Sequence, residues 1–232
     1  MVNQRTIIKW SFISLLRKEN IISVLVFLII CILCVISMPV VSLSERIVLL
    51  FDGYRYARFN LFDFSRVVIL RLLPIYLIGF SFSSSLSVNC DYFKLRLYRY
   101  SIWHNAINCA FASLIAIFIA LQLLLASTLP FLSGQSSQEA LFNVSPLVLI
   151  LVIITVFMEL FAATLCFFNC YLCTSNSVLS FILIFFIYLL FSLFPFPLCT
   201  FFSFITTITI FAVIIVILHL AAIKNVKKLL SR

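Results

Sequence analysis

Residues 147–170 read LVLILVIITVFMELFAATLCFFNC, an apolar run interrupted by one charged residue, Glu159. About 20 apolar residues in a helix cover the ~30 Å of hydrocarbon in a bilayer, so this stretch has the length of a membrane span. The same pattern recurs on either side of it, at about 21–41, 67–88, 106–132, 178–199 and 200–223. The last two runs are separated only by Phe194-Pro195-Phe196-Pro197, which a regular helix cannot continue, so they read as a tight helical hairpin. The expected fold is all-α: a polytopic membrane protein with about six transmembrane helices and a single transmembrane domain over 1–232. No internal repeat or low-complexity linker divides it.

The composition agrees with that pattern. Hydrophobic residues make up 65% of the chain and charged residues 10%, with a mean hydropathy of +1.27. Soluble domains hold about 45–50% apolar and about 25% charged residues, and the excess here is expected to face lipid. Gly53, Gly79 and Gly134 are the only glycines. A phosphate-wrapping loop needs closely spaced glycines followed by Lys and Ser/Thr, so the chain carries no nucleotide-binding motif of its own. Its net charge of +9 sits in short segments between apolar runs. Anionic headgroups and topology account for such charge better than nucleic acid does.

Lys and Arg in the connections set the expected orientation. Arg5, Lys9, Arg17 and Lys18 precede the first run, Lys94, Arg96 and Arg99 lie between the second and third, and Lys224, Lys227, Lys228 and Arg232 end the chain. The opposite side receives Arg46, Arg55, Arg58 and Arg66, partly balanced by Glu45, Asp52 and Asp63. Both termini are therefore expected inside. The first run is too long for a removable signal peptide, and no small-x-small cleavage site follows it. Residues 1–20 read equally as a short interfacial helix, with Ile8, Phe12 and Leu15 on one face and Trp10 in the headgroup layer, or as a basic lead-in. The outer connection 42–66 suits amphipathic surface helices or plain interfacial anchoring by Tyr54, Tyr56 and Phe59.

Several constellations invite chemistry. Cys31 and Cys34 form CxxC, and Cys166, Cys170 and Cys173 form CxxxCxxC, but both lie in apolar runs where cysteine is a small packing residue; no metal site is expected. His104 and Asn108 form an HxxxN pair of the kind used by intramembrane proteases of prenyl-protein processing. The paired glutamates of those enzymes are absent. Ionisable groups inside a bilayer are costly and worth naming: Glu159 near the middle of the fourth run, Arg71 one turn inside the second, with Gln122 and His219 as further polar groups. Glu159, Arg71 and Gln122 are candidates for a translocation path, against the plainer reading of interhelical hydrogen bonds. Counting ~1.5 Å per residue from the outer surface puts Arg71 and Glu159 roughly two turns apart in depth, which argues against a direct ion pair.

The inner connection 89–104, NCDYFKLRLYRYSIWH, alternates cations with aromatics. It suits a snorkelling lipid belt or a docking surface with aromatic anchors and a cationic rim. At this point the chain resembles the small permease subunits of ABC-2-type transporters, particularly those of bacteriocin or antimicrobial-peptide export and immunity. The similar features are the basic lead-in at Lys9-Trp10, the long outer connection ending Asn60-Leu61-Phe62, the proline-bearing second run around Pro74, and Arg99-Tyr100-Ser101-Ile102-Trp103 before the third. Ile102 stands where that pattern has a basic residue, and the acidic position expected at the inner end of the second run is met only by Asp91.

The resemblance implies a multi-pass protein of the bacterial plasma membrane that is a transporter subunit rather than an enzyme. It implies a cytoplasmic ABC ATPase that binds the ATP, so that the chain itself needs no cofactor. It also implies a second permease subunit and a hydrophobic or amphipathic peptide as cargo. Lys94, Arg96, Arg99 and Trp103 would then couple the chain to the ATPase. The alternatives are a stand-alone immunity protein, the substrate-binding component of a vitamin uptake system, and an intramembrane protease.

Overall fold

In a computed structural model of the chain, residues 18–37, 43–56, 68–83, 100–132, 145–193 and 201–230 are described, and they form seven α-helices and no strand. These are α1 (Lys18–Ile36), α2 (Leu43–Tyr56), α3 (Val68–Ser83), α4 (Tyr100–Leu132), α5 (Pro146–Thr174), α6 (Ser177–Leu193) and α7 (Phe201–Leu230). A helix occupies each of the six apolar runs, and α2 lies in the outer connection. Asn105–Leu129, Pro146–Thr174 and Ile205–Asn225 are long and apolar enough to cross a membrane, while Ile21–Ile36, Val68–Ser83 and Ser177–Ile187 are shorter apolar helices. This is the helix set of a membrane protein. Residues 1–17 of the interfacial segment 1–20, residues 89–99 of the connection 89–104 and the Phe194–Pro197 breaker lie outside the described residues.

Local chemistry sets the visible boundaries. Pro146 occupies the first turn of α5, where its missing N–H costs nothing and its fixed φ fits the helix. The helix stops at Ser175, whose φ of 54° is left-handed and whose N–H donates to the Tyr171 carbonyl at 2.8 Å, an αL stop made here without glycine. Asn176 then caps α6, its Oδ1 accepting from the N–H groups of Val178 and Leu179 at 3.0 and 3.1 Å, as helix N-caps do. Two helices were expected to be shorter. α4 begins at Tyr100, inside the inner connection, and α7 runs through Lys224, Lys227 and Lys228; neither stretch holds a Gly or Pro to stop helical propagation.

α5 is the hub, packed by α2, α4, α6 and α7, and α4 also packs against α1, α2 and α7. α3 and α5 run parallel at a fixed register: Arg71 meets Glu159, Gly79 meets Phe167, and Ser83 meets Tyr171, each pair 88 positions apart. At Gly79 an added Cβ would lie 2.7 Å from the Phe167 ring, so the missing side chain is what lets these two helices approach. Below that contact Phe82, Phe111 and Phe168 meet edge to face, with centroids 5.1–5.9 Å apart, the geometry that aligns ring quadrupoles. Outward faces are aliphatic. α7 has one unbroken arc of exposed residues, including Ile205, Val213, Val216, Ile217 and Leu220. Of its spanning stretch 6% is buried, against 44% for α4 and α5, so α7 lines the perimeter.

α2 departs from the expectation of a surface helix. Ser44, Arg46, Val48, Leu50 and Phe51 are all buried, and the helix packs against α4 and α5. Its mixed sequence, LSERIVLLFDGYRY, puts Val48, Leu50 and Phe51 within one turn of each other, enough apolar surface to seat it against α4 and α5.

Candidate functional site

The α3–α5 register brings one charged layer together inside the bundle. Arg71 forms an ion pair with Glu159 on α5, and its second terminal nitrogen donates to the backbone carbonyl of Phe51 on α2. Both side chains are almost fully buried, at 4% and 10% exposure. Next to Arg71, the Leu70 carbonyl accepts from Gln122 Nε2 on α4 at 3.3 Å. The buried Cys31 thiol of α1 lies beside Gln122. Five helices therefore contribute to one polar layer, and in a low-dielectric setting each hydrogen bond within it is strengthened.

The Arg71–Glu159 pair corrects the depth argument against it. That argument started both helices at one outer level. The 88-residue register instead puts Val68, where α3 begins, level with Val156, ten residues beyond the start of α5 at Pro146. That offset is about 15 Å of helix rise, more than the two turns that separated the pair on paper. α2 supplies the polypeptide above α3, through the Phe51 carbonyl.

A second, uncharged layer lies roughly 15 Å further along α5. Asn169 Nδ2 donates to the Leu218 carbonyl of α7 at 3.0 Å and to Leu165 in its own helix. Asn225 Nδ2 donates to Asn169 Oδ1 at 3.3 Å. Asn108 on α4 meets His219 Nδ1 at 2.9 Å. Asn108 thus has a partner on α7; the His104 side chain lies outside the described residues.

No family model, curated protein or solved structure matches this chain.

Of the residues singled out from sequence, Arg71, Glu159 and Gln122 fall in one layer. Lys94, Arg96 and Arg99 lie outside the described residues, and Trp103 lies on the first turn of α4, where only the backbone is described. Among the described residues no cluster of His, Cys, Asp or Glu could hold a metal ion. Cys166 and Cys170 contact each other one turn apart on α5. Sequence reasoning missed Asn169 and Asn225, although an Asn ten residues after Glu159 in the same apolar run was a readable signal. It missed the Phe51 carbonyl, which no side-chain pattern announces. It also counted Arg46 only as a connection charge, whereas its residue surface is 3% exposed.

Proposed function

We propose that this chain is the membrane-spanning permease subunit of an ABC-2-type transporter in the bacterial plasma membrane. Its six apolar helices cross the bilayer with both termini inside, and a separate cytoplasmic ATPase drives it. Two permease subunits form the path, and the cargo is a hydrophobic or amphipathic peptide that is exported or cleared from the membrane. Besides the resemblance around Arg99-Tyr100-Ser101-Ile102-Trp103, one observation carries this reading: the buried Arg71–Glu159 pair. A buried ion pair is a poor way to gain stability, because desolvation offsets its Coulombic attraction. Inside a bilayer, such a pair is a mark of function.

The connectivity gives the pair a role. The inner connection 89–104 lies between α3, which holds Arg71 and the Leu70 carbonyl, and α4, which begins within it and holds Gln122. Docking of the ATPase on Lys94, Arg96, Arg99 and Trp103 would displace these two helices together against α5. Glu159 stays with α5, so the displacement parts the pair and opens the layer. ATP binding in the partner thus biases a two-state element.

The test is copurification of the tagged protein from its native host in mild detergent, with mass spectrometry of the recovered partners. A soluble ABC ATPase in stoichiometric amount, lost when Arg96 and Arg99 are both changed to Glu, supports the reading. Absence of any ATPase across several detergents and nucleotide states sinks it.

A further inference from the structure

Helix geometry puts an apolar strip and a cationic cluster on one face of α7. Its exposed aliphatic residues include Val213, Val216, Ile217 and Leu220, and the helix then continues without a break through Lys224, Lys227 and Lys228 to Leu230. At ~100° per residue, those aliphatics fall within an arc of about 100°. Lys224, Lys227 and Lys228 cover an arc of the same width, turned from the first by only about 20°. His219 and Asn225, which bond α4 and α5, lie outside both arcs. The cations therefore continue the outward face of α7, not the faces that hold it to the bundle, and Lys224 is itself exposed.

That face carries one sign of charge. Glu159 is the last acidic residue of the chain, so residues 160–232 hold Lys224, Lys227, Lys228 and Arg232 with no acidic side chain among them. The helix also sets their depth. The apolar run closes at Ile223, and residues 224–230 rise about 10 Å beyond it, enough to cross the headgroup layer of about 5–8 Å. In the other direction Val213 lies about 16 Å along the axis from Lys224, close to the depth of one leaflet of hydrocarbon.

An apolar strip one leaflet deep, closed by cations at headgroup level, is the complement of an amphiphile with a fatty chain and a negative head. Four cations directly after a span form the cluster that attracts anionic lipid. Lysine serves this well, because its stem lies along apolar surface while its ammonium reaches the headgroups. A soluble protein partner fits less well. The lysine arc is turned at least about 80° from the direction in which His219 meets α4, and α4 is the helix that carries Trp103.

We propose that the C-terminal end of α7 is a binding face for anionic phospholipid, with Lys224, Lys227 and Lys228 at the headgroup and an acyl chain along Val213, Val216, Ile217 and Leu220. The face rests on the chain being a membrane protein and not on its being a transporter. It has a mechanical consequence. Only 6% of the spanning stretch of α7 is buried, so protein contacts hold the helix chiefly through the uncharged layer. Lys224 and Lys227 flank Asn225, whose bond to Asn169 belongs to that layer. Lipid bound there fixes the depth of α7 beside the bond.

The experiment reconstitutes the full chain in phosphatidylcholine vesicles. Spin-labelled phosphatidylglycerol and phosphatidylcholine then report by electron paramagnetic resonance how strongly the protein holds each. Wild type is compared with Lys224→Gln/Lys227→Gln/Lys228→Gln and with a charge-conserving variant, Lys227→Leu/Lys228→Leu/Leu229→Lys/Leu230→Lys, which moves two cations off the face. Wild type should prefer phosphatidylglycerol, and each lysine removed should lower that preference by up to about fivefold. The charge-conserving variant should lose as much as the removal of two lysines. Added salt should weaken the wild-type preference.

Full preference in the glutamine variant would overturn the face. Full preference in the charge-conserving variant would overturn it too, by reducing the effect to net charge. A wild-type preference that survives high salt would do the same without any variant. If the glutamine variant kept its lipid preference but lost a copurifying soluble protein, the lysines would belong to a protein dock instead.

Discussion

The two polar layers of the bundle solve the same problem by different chemistry. The layer at Arg71 and Glu159 is charged and joins α1, α2, α3, α4 and α5. The layer at Asn108, Asn169, His219 and Asn225 is made of amides and an imidazole and joins α4, α5 and α7. Neutral hydrogen bonds between membrane helices are modest, averaging about 0.6 kcal/mol. They fasten helices without making separation expensive. A charged pair differs because its attraction and its desolvation are both large, so the balance between them is easily moved. On the proposed function the charged layer would be the switch and the amide layer a fixed seam.

The sharpest test of that contrast is to break the charged pair from one side at a time. Glu159→Leu strands a guanidinium that cannot lose its proton, and should cost about 3–5 kcal/mol in the denaturant unfolding of the reconstituted protein. Arg71→Leu should cost less, because a carboxyl left alone can take up a proton. The double variant Arg71→Leu/Glu159→Leu should regain most of the loss and, on the proposed function, abolish ATP-driven transport. A double variant that stays as unstable as Glu159→Leu would make the pair structural and remove its switch role.

How far these layers could be read in advance depends on what sets them. Span length and apolarity are local, and each run that predicted a span holds a helix, the second even through Pro74. Arg71, Glu159 and Gln122 were also visible as polar residues in apolar surroundings. Their meeting was not, because it depends on the register between α3 and α5. That register follows from one close approach, Gly79 against Phe167, which no span-by-span count of depth contains. The burial of Arg46 was hidden for a related reason: a charge in a connection reads as solvated unless one knows that its helix packs inward.

Gly79 supplies the next test, smaller than the charged pair. In Gly79→Ala the new methyl group would meet the Phe167 ring at 2.7 Å, and relief requires the ring or the helix to move. Overpacking of this kind costs about 1–3 kcal/mol. Because Gly79 sits between the layers on α3, the strain should reach the Arg71–Glu159 pair and leave the α4–α7 seam alone. Adding Phe167→Leu should recover stability. Failure of that rescue would mean that another contact fixes the register.

The smallest effect belongs to the seam, and its size is itself the prediction. Asn108→Ala and His219→Ala each remove one side of a 2.9 Å bond. A double-mutant cycle should give a coupling of about 0.6 kcal/mol and no more than about 1.7 kcal/mol. Asn169→Ala should cost more than either, since it loses the bond to the Leu218 carbonyl and releases Asn225. Asn169→Ala should not alter transport beyond the loss of folded protein, because its bonds join α5 to α7 and neither helix flanks the inner connection, whereas Asn108 lies on α4, which does. If the Asn108–His219 coupling instead matched that of Arg71 and Glu159, the distinction between switch and seam would fail, and both layers would have to move in the cycle.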